Sequence, residues 1–228
     1  MARKARIVIL GAGTAGLTAL KEAQRYTDEV LLINDGPYGT TCARVGCMPS
    51  KALIEVAHAY AQRKWLGGVG VRGTAALEVD LAAVMAHVRT LRDRFTAGAI
   101  RLAESPGERS IRGKPRFLDA QTLEVNGERI HADAVIIATG TRPIVPEPWR
   151  AAGDRLVTSD TIFEMVSPGH RVGVVGLGPI GVEMGQAFAM LGCEVHAFTQ
   201  GSTIAALSDP DVNASLLDVL GEQMAITT

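Results

Sequence analysis

Two cysteines in a glycine-containing segment are the residues of this sequence best suited to chemistry. Cys42 and Cys47 lie five positions apart, with Gly46 directly before the second. A thiolate attacks disulfides, so two nearby thiols can exchange electrons with a dithiol or disulfide substrate. The same spacing also fits two buried thiols that pack as small apolar side chains. From these residues alone, dithiol redox chemistry and plain packing both remain open.

A helix that starts near the second cysteine is expected to position its thiol. Apolar residues recur with helical spacing at Leu53, Val56, Ala57 and Tyr60. Pro49 has no N–H to donate and therefore fits the first turn of that helix. A helix N-terminus favours a thiolate at Cys47. A regular helix separates Cα atoms five residues apart by about 8.7 Å, whereas a disulfide tolerates about 7 Å. A Cys42–Cys47 bond would therefore need a break, which Gly46 and Pro49 can provide.

Length and composition limit the classes of protein to consider. The chain has 228 residues, 47% of them hydrophobic, and a formal net charge of -1. This is enough for one or two domains, and the charge gives no reason to expect nucleic acid or an acidic membrane as a partner. No apolar run has the length of a signal peptide or a transmembrane helix. We therefore expect a cytoplasmic protein. Its third cysteine, Cys193, is expected only to pack in a strand.

The first glycine motif follows a predicted buried strand over residues 6–10. Gly11-Ala12-Gly13-Thr14-Ala15-Gly16 has the G-x-G-x-x-G form, with a helical pattern after it and a second strand over residues 30–33. The three glycines allow a sharp turn, close approach of a pyrophosphate, and close helix–strand packing. Asn34 stands where an acidic residue would bind ribose hydroxyls; it can accept a hydrogen bond but carries no charge. A glycine turn without a ligand is the alternative.

The middle of the chain alternates between helical and strand patterns. Residues 65–71 predict a turn and a short strand, and Asp80 predicts the cap of a helix over residues 81–95. Nearby arginines are expected to form a solvated face: Arg89, Arg92, Arg94 and Arg101. Short strands follow at 116–118 and 122–125, with Asn126-Gly127 as a hairpin turn. A buried strand over 134–138 then ends in small residues, which permit close approach of a ligand.

A second glycine motif repeats the first arrangement later in the chain. After a short helix over 160–166, a strand over 171–175 leads into Gly176-Leu177-Gly178-Pro179-Ile180-Gly181, a helix, and a strand over 193–198. Two dinucleotide motifs flanking a dithiol segment are far more specific than one motif alone. The predicted fold class is α/β, with two Rossmann-like FAD/NAD(P)-binding three-layer units and a small antiparallel β insertion.

The order of these motifs resembles the flavin-dependent pyridine nucleotide–disulfide oxidoreductases. The residues that carry the resemblance are 11–16, the segment from Thr41-Cys42 to Lys51, residues 138–143 and residues 176–183. Within the family the chain is most similar to dihydrolipoamide dehydrogenase. The resemblance implies a flavoenzyme that passes electrons between a substrate dithiol, a Cys42–Cys47 redox disulfide, FAD and NAD(P). It also implies a small disulfide or dithiol substrate, such as a lipoyl group on a carrier protein, and a homodimer in the full-length form.

Family roles transfer to this chain by matching position. Cys47 resembles the thiol beside the flavin, Cys42 the thiol that exchanges with substrate, and Lys51 and Glu183 a charged pair near the flavin edge. The implied FAD-binding residues are Gly11, Gly13, Thr14, Ala15, Gly16, Asn34, Thr41, Cys42, Cys47, Lys51, Pro115, Ala138, Thr139, Gly140 and Glu183. The implied nicotinamide-nucleotide residues are Gly176, Gly178, Pro179, Ile180, Gly181 and Thr199. No metal site is expected.

Several departures from the family pattern bear on these expectations. Thr40 stands where Gly is usual, and Thr199 stands where Glu would favour NAD and Arg would favour NADP. The absence of an Arg there favours NAD, with NADP as the alternative. Residues 1–148 are predicted to form the FAD-binding domain, lacking its C-terminal part, and residues 149–228 an incomplete NAD(P)-binding domain. The family's dimerisation domain is absent, so we expect that this chain alone does not complete the catalytic cycle.

Two other functions are compatible with the same residues. One is a reductase of another disulfide or of a metal ion, of the glutathione or mercuric reductase type. The other is a module that binds FAD without turnover. Visible absorbance separates a flavoprotein with a redox dithiol from a colourless protein with free thiols.

Overall fold

The computed structural model of the chain describes residues 3–228. Its helices are α1 (Thr14–Ala23), α2 (Thr41–Arg44), α3 (Cys47–Gly68), α4 (Leu81–Glu104), α5 (Pro179–Met190) and α6 (Pro210–Gly221). Its strands are β1 (Arg3–Leu10), β2 (Val30–Asn34), β3 (Ser110–Arg112), β4 (Arg116–Phe117), β5 (Thr122–Val125), β6 (Glu128–Ile137), β7 (Arg171–Val175), β8 (Glu194–Phe198) and β9 (Ala225–Thr227). Short 3-10 turns lie at Thr74–Ala76, Gly107–Arg109, Glu147–Arg155 and Ile162–Glu164.

The chain divides into two compact units, each made of two stretches of sequence. The first contains residues 1–48 and 92–156, and the second contains residues 49–91 and 157–228. Residues 49–91 therefore belong to the second unit. The predicted division of the chain, with one boundary between residues 148 and 149, does not include this exchange. The assignment of FAD to residues 1–148 and of NAD(P) to residues 149–228 stays a prediction.

The first unit is built on a six-stranded sheet in the order β3-β2-β1-β6-β5-β4. Strands β3, β2, β1 and β6 are parallel, and β5 and β4 are added in antiparallel pairing. One face of the sheet packs on α1 and the end of α4 through Leu20, Leu32 and Ala103. The other face packs against the hairpin, where Ile33 belongs to a cluster with Leu123. The predicted α/β class and its antiparallel insertion are confirmed.

The hairpin of the first unit has the turn that its sequence predicts. Asn126 and Gly127 both have positive φ, 51° and 81°, as a two-residue hairpin turn between right-twisted strands requires. The strand predicted over 134–138 is the second half of the longer β6, which pairs with β1 from Arg3 to Leu10. This pairing brings the carboxyl ends of β1 and β6 to the same edge of the sheet.

The second unit contains a three-stranded parallel sheet in the order β7-β8-β9. Its core includes Phe188 of α5, Ala197 of β8 and Leu53 of α3 in one buried cluster. The opposite face of the sheet is open to solvent among the described residues, with Val175 and Phe198 exposed. The predicted strand–glycine turn–helix–strand order of this unit is present.

Three details predicted from the sequence are wrong. Residues 65–71 form no strand: α3 continues to Gly68, and the chain then turns at Gly70 with φ 97°. Arg92 does not face solvent; it is 8% exposed, with an Nε–Asp93 hydrogen bond of 2.9 Å. The helix predicted over 160–166 is only a 3-10 turn. The predicted cap of α4 is confirmed, since Asp80 accepts hydrogen bonds from two N–H groups of its first turn.

None of the helices within residues 3–228 combines the length and apolar character needed to cross a membrane.

Candidate functional site

The two cysteines lie on either side of a break between two helices. Cys42 is in the one-turn helix α2, and Cys47 is the first residue of α3. Val45 leaves the helical region with φ -133° and ψ 3°. A Cβ at Gly46 would lie 3.0 Å from the Thr41 carbonyl oxygen, closer than side-chain carbons normally approach. The segment is therefore irregular where the spacing of the two cysteines required it, and Pro49 lies in the first turn of α3 as predicted.

Thr40, the residue that replaces the family's usual glycine, has a local structural role. It precedes α2 in extended conformation, and its Oγ1 accepts a hydrogen bond from the backbone N–H of Ala43 at 3.1 Å. A threonine at this position satisfies an N–H that the helix start leaves unpaired. The departure from the family pattern is thus compatible with the local fold.

The two thiols contact each other in their reduced form. Neither cysteine is disulfide-bonded; Cys42 is half-buried and Cys47 is exposed. A side-chain hydrogen bond to Cys47, together with burial, raises the pKa of the Cys42 thiol above its ordinary value. The backbone N–H of Cys47 also bonds to Cys42 and opposes this increase in pKa. A proton on Cys42 is therefore stabilised by the partner thiol, and the sulfurs are close enough to interact directly.

This contact predicts how alkylation of Cys42 depends on pH. Iodoacetamide reacts with the thiolate, so modification of Cys42 in the reduced chain should require a higher pH than that of an ordinary thiol. Cys47→Ala removes the hydrogen bond and should shift the alkylation profile of Cys42 to lower pH. Because the folded pKa is raised, the hydrogen bond stabilises the reduced fold below the pKa of the unfolded thiol and is lost as the pH rises through the folded pKa. Peptide mapping of modified Cys42 across pH 7–10 measures the profile.

Cys193→Ala is the matched control for that measurement. Cys193 is buried, and its Sγ donates to the Gly169 carbonyl oxygen at 3.5 Å. Burial raises the pKa of this thiol, in agreement with the prediction that Cys193 only packs. Its removal should leave the profile of Cys42 unchanged, and an equal shift in both variants would contradict the proposed cause.

The first glycine turn has the geometry of a dinucleotide site. Gly11 has φ 105°, and a Cβ there would lie 2.2 Å from the Ala138 carbonyl oxygen. A Cβ at Gly16 would lie 1.8 Å from the Gly11 carbonyl oxygen. At Gly13 there is no protein atom within 4 Å of the same position. Two glycines are therefore required by the protein's own packing, whereas the space at Gly13 is open to a ligand at the N-terminus of α1. Thr14 and Ala15 are exposed beside it.

Residues 138–140, which the family resemblance assigns to cofactor binding, contact this turn directly. β6 ends at Ile137, and the Ala138 N–H donates to the Leu10 carbonyl oxygen at 2.8 Å. Thr139 Cα is 3.2 Å from the Cβ position of Gly11, and Thr139 and Gly140 are exposed. The structure therefore brings Ala138, Thr139 and Gly140 together with the first glycine motif.

Asn34 uses both ends of its side chain within the protein. Its Oδ1 accepts from the Ala12 N–H at 2.9 Å, and its Nδ2 donates to the Gly36 carbonyl oxygen at 2.9 Å. The amide thereby joins the glycine turn to the chain that leaves β2. One lone pair of Oδ1 remains for a ribose hydroxyl, so the predicted ribose contact stays a prediction. Next to it, the Gly113 N–H donates to the Asn34 carbonyl oxygen at 3.0 Å. Pro115, one of the implied FAD-binding residues, is half-buried between β3 and β4.

The second glycine turn repeats the geometry of the first. Gly176 has φ 93°, and a Cβ at Gly181 would lie 1.9 Å from the Gly176 carbonyl oxygen. Gly178 again has no atom within 4 Å of its Cβ position, and Pro179 and Ile180 are exposed in the first turn of α5. Thr199 follows β8, and its N–H donates to the Thr227 carbonyl oxygen at 2.9 Å. The open position at Gly178 fits a second dinucleotide.

Lys51 and Glu183 form an ion pair within the second unit. The Lys51 Nζ lies 2.8 Å from the Glu183 Oε1, and the two side chains are 59% and 44% exposed. An exposed pair of this kind contributes about 0–1 kcal/mol to stability. The pairing of these two residues is as predicted, and their role at the flavin edge stays a prediction.

Two arginines near these sites were not singled out from the sequence. Arg44 lies between the two cysteines in sequence, and its Nε is buried without a hydrogen-bond partner among the described residues. An unpaired buried N–H is costly, so this group suits an anionic ligand or water. Arg112 lies beside Asn34 in the parallel pairing of β2 and β3. The strand pairing alone shows that Arg112 lies near the first glycine turn, and the sequence does not specify this pairing.

The family model for pyridine nucleotide-disulphide oxidoreductases matches residues 5–227. Among curated relatives, the mercuric reductase of Lysinibacillus sphaericus is 32% identical over 95% of this chain and 40% of its own length. Glutathione reductase of Nostoc sp. is 30% identical over 92% of this chain and 45% of its own length. Dihydrolipoyl dehydrogenase of Geobacillus stearothermophilus is 31% identical over 82% and 40%, respectively. The chain spans less than half the length of these relatives.

A solved structure gives the same result at the level of fold. The HOCl-induced flavoprotein disulfide reductase RclA of Escherichia coli, in its Cu(II) complex, superposes with a TM-score of 0.81. The identity is 23%, and the match covers 99% of this chain and 49% of the other. From the family match and the glycine and cysteine motifs, the chain belongs to the pyridine nucleotide-disulphide oxidoreductase family. This membership implies a flavin and a pyridine nucleotide as cofactors.

Proposed function

We propose that the protein is an FAD-dependent dithiol/disulfide oxidoreductase that exchanges electrons with a pyridine nucleotide. The observation that carries this proposal is the placement of Cys42 in α2 and Cys47 at the first residue of α3, with the two thiols in hydrogen-bond contact, in a member of this family. Two thiols in contact can form and break a disulfide without large rearrangement of the chain. The exposure of Cys47 and the partial exposure of Cys42 support exchange with an outside disulfide.

The two thiols would have different tasks in the reductive direction. The Cys42 thiolate attacks one sulfur of the substrate disulfide, and the other substrate sulfur leaves as a thiol once protonated. Cys47 then attacks the Cys42 sulfur of the mixed disulfide, which releases the second substrate thiol and closes the Cys42–Cys47 disulfide. The substrate gains two electrons and the dithiol loses two. In the direction of dithiol oxidation, the same steps run in reverse.

The chain's own residues fit the two cofactors that this chemistry needs. The open positions at Gly13 and Gly178 suit the close approach of a pyrophosphate, and each lies at the N-terminus of a helix that favours negative charge. Bound FAD would supply two-electron exchange between the dithiol and the nicotinamide. The protein's contribution is to hold the pyrophosphates and to keep the two sulfurs in contact.

The substrate is the finer part of the proposal. We propose a dihydrolipoyl-type dithiol as the substrate, on the resemblance of the segment from Thr41 to Lys51. The mercuric reductases, at 32–33% identity over 95% of the chain, support a metal-ion reductase as the second candidate. Two assays distinguish the candidates: oxidation of NAD(P)H that depends on lipoamide, and oxidation of NAD(P)H that depends on Hg(II).

The visible spectrum tests the proposed function itself. The purified chain should be yellow and should develop a long-wavelength charge-transfer band when it is titrated with dithionite, because a thiolate then lies against the flavin. A colourless chain that takes up no added FAD would refute the proposal. A yellow chain without the band would support a flavin-binding module without dithiol chemistry.

The charge of residues 172–228 predicts a preference for NADH. Residues 172–228 contain no Lys or Arg and six carboxylates. The 2′-phosphate of NADPH carries about two negative charges at neutral pH and would find no cation in this stretch. NADH should therefore reduce bound FAD at least about tenfold more efficiently than NADPH, at equal ionic strength. Stopped-flow absorbance of the flavin measures both rates.

Thr199→Arg is the corresponding gain-of-function variant. It adds a guanidinium directly after β8, where a 2′-phosphate would be expected. The variant should raise the efficiency with NADPH by about tenfold and change that with NADH little. Equal efficiency with both nucleotides in the unaltered chain would show that charge in residues 172–228 does not determine the choice.

A further inference from the structure

We propose that Arg112, in place of an acidic residue at position 34, determines specificity at the adenosine end of the first dinucleotide site. Its guanidinium would donate hydrogen bonds to the ribose oxygens of the FAD adenosine, and the same site would also accept an adenosine with a phosphate on that ribose. This inference rests on the proposed function to the extent that the first glycine turn binds an adenine dinucleotide. It concerns a residue that the motif itself does not identify.

The position of Arg112 follows from strand pairing. β2 and β3 are parallel, and Asn34 pairs with Arg112 in register. Paired residues of parallel strands project to the same face of the sheet. On that face the Asn34 side chain reaches the glycine turn through the Ala12 N–H. Arg112 therefore lies next to the place where a dinucleotide's ribose would meet the end of β2.

The Arg112 side chain is held in place by neighbouring groups. Its guanidinium carbon lies 4.2 Å from the centroid of the Tyr38 ring, and its Nη2 lies 3.2 Å from the Glu104 Oε1. Tyr38 is itself buried, and its hydroxyl is 2.8 Å from the Ser110 Oγ. An aromatic ring under a guanidinium keeps the plane oriented and its N–H edge available.

The backbone at Arg112 is fixed as well. Asn126 of the hairpin turn donates from Nδ2 to the Arg112 carbonyl oxygen at 2.9 Å. A Cβ at Gly113 would lie 2.4 Å from the Asn126 Oδ1, so the next residue must be small for this contact to form. β3 is thus held at its carboxyl end, and the arginine is preorganised rather than mobile at a strand terminus.

The residue that ends β2 lacks the negative charge of a usual dinucleotide motif, and Arg112 beside it is paired with Glu104. An acidic residue at position 34 would accept hydrogen bonds from ribose hydroxyls and repel a 2′-phosphate. Asn34 is neutral, and both ends of its amide are already bonded to the chain. The Arg112 side chain is 61% exposed, and its partner Glu104 is 53% exposed, so an anionic ligand can compete with this ion pair.

The second dinucleotide unit provides an internal comparison. Thr199 follows β8 as Asn34 ends β2. On the neighbouring strand Thr227 pairs with Phe198, the residue before Thr199, and Thr228 follows it. No arginine lies at that position. The two units should therefore differ in their response to a phosphate on the adenosine ribose: the first should accept it and the second should not.

Competition against FAD tests this inference. FAD binding to the chain is followed by the quenching of flavin fluorescence, and ADP or its 2′-phosphorylated form, 2′-phospho-ADP, is added as competitor. In the unaltered chain the two nucleotides should compete with affinities within about threefold, or the 2′-phosphate should bind more tightly. In Arg112→Gln, 2′-phospho-ADP should lose at least about tenfold in affinity, whereas ADP should lose less than about threefold.

Two further variants separate charge recognition from structural support. Arg116→Gln makes the same change of charge at an exposed arginine paired with Glu124 and should alter neither affinity. Asn34→Asp should weaken 2′-phospho-ADP but not ADP. The inference is overturned if the unaltered chain binds 2′-phospho-ADP more than about threefold more weakly than ADP, or if Arg112→Gln weakens both nucleotides equally.

The outcome is distinguishable from a failure of the proposed function. If the chain binds no FAD at all, the proposed function is wrong. Calorimetric titration with ADP and 2′-phospho-ADP then tests Arg112 directly. The affinities of the unaltered chain and of Arg112→Gln for each nucleotide are compared, with the same expected result. If FAD binds and the affinity for 2′-phospho-ADP does not depend on Arg112, only the inference about Arg112 is wrong.

Discussion

Cys47→Ser should lack the long-wavelength absorbance that the unaltered chain develops on partial reduction, whereas Cys42→Ser should show it before any reductant is added. The family resemblance places the Cys47 thiol beside the flavin and the Cys42 thiol toward the substrate. Each variant can no longer form the disulfide, so each should take up about two electrons per flavin where the unaltered chain takes up about four. Anaerobic dithionite titration with full visible spectra measures both quantities in one experiment.

The third cysteine supplies the matched control for this prediction. Cys193→Ser makes the same substitution at a buried site, where the hydroxyl can keep the hydrogen bond to the Gly169 carbonyl oxygen. It should leave the electron uptake and the spectrum of the unaltered chain unchanged. If Cys42→Ser and Cys47→Ser also took up as many electrons as the unaltered chain, the two thiols would not form the redox pair.

Local sequence signals predicted the elements that position the candidate site. Some signals determine only the backbone conformation of nearby residues, so they can be recognised in a short stretch of sequence. They are the glycines of the two turns, the helix cap at Asp80 and the hairpin turn at Asn126-Gly127. The break between Cys42 and Cys47 was also predictable, because the disulfide distance cannot be met in a regular helix. The fold class and the family resemblance followed from the order of the two glycine motifs and the cysteine segment along the chain.

Features that depend on distant pairing were not predictable in this way. Arg92 has the composition of a solvated helix face and is nevertheless buried, since the packing of the helix on its neighbours decides which face is covered. The extension of α3 through Gly67 and Gly68 overrides the helix-breaking tendency of glycine. Arg112 became a candidate only through its register with Asn34. Periodicity describes one element at a time and does not specify its partner.

The glycines of the two turns should separate folding from cofactor binding. Gly16→Ala places a Cβ 1.8 Å from the Gly11 carbonyl oxygen, so the turn and α1 must move apart. We expect a loss of at least about 3 kcal/mol in the free energy of unfolding, at the upper end for overpacking, because backbone and not a flexible side chain is contacted. Gly13→Ala meets no protein atom within 4 Å and should change stability by less than about 1 kcal/mol.

The same Gly13→Ala variant should lose flavin. Its Cβ occupies the space through which a pyrophosphate approaches the N-terminus of α1, so the affinity for FAD should fall by at least about tenfold. Urea denaturation gives the stability of each variant, and flavin fluorescence gives the affinity. A Gly13→Ala protein that binds FAD like the unaltered chain would show that the open position is not part of the binding site.

The second turn makes this prediction a double comparison. Gly181→Ala places a Cβ 1.9 Å from the Gly176 carbonyl oxygen, and Gly178→Ala again meets nothing within 4 Å. Gly178→Ala should therefore weaken the pyridine nucleotide and leave FAD bound, while Gly13→Ala should weaken FAD and leave the pyridine nucleotide bound. Because the two substitutions are chemically identical, a general effect of added volume would affect both ligands in both variants. Only a separate cofactor at each turn produces the crossed result.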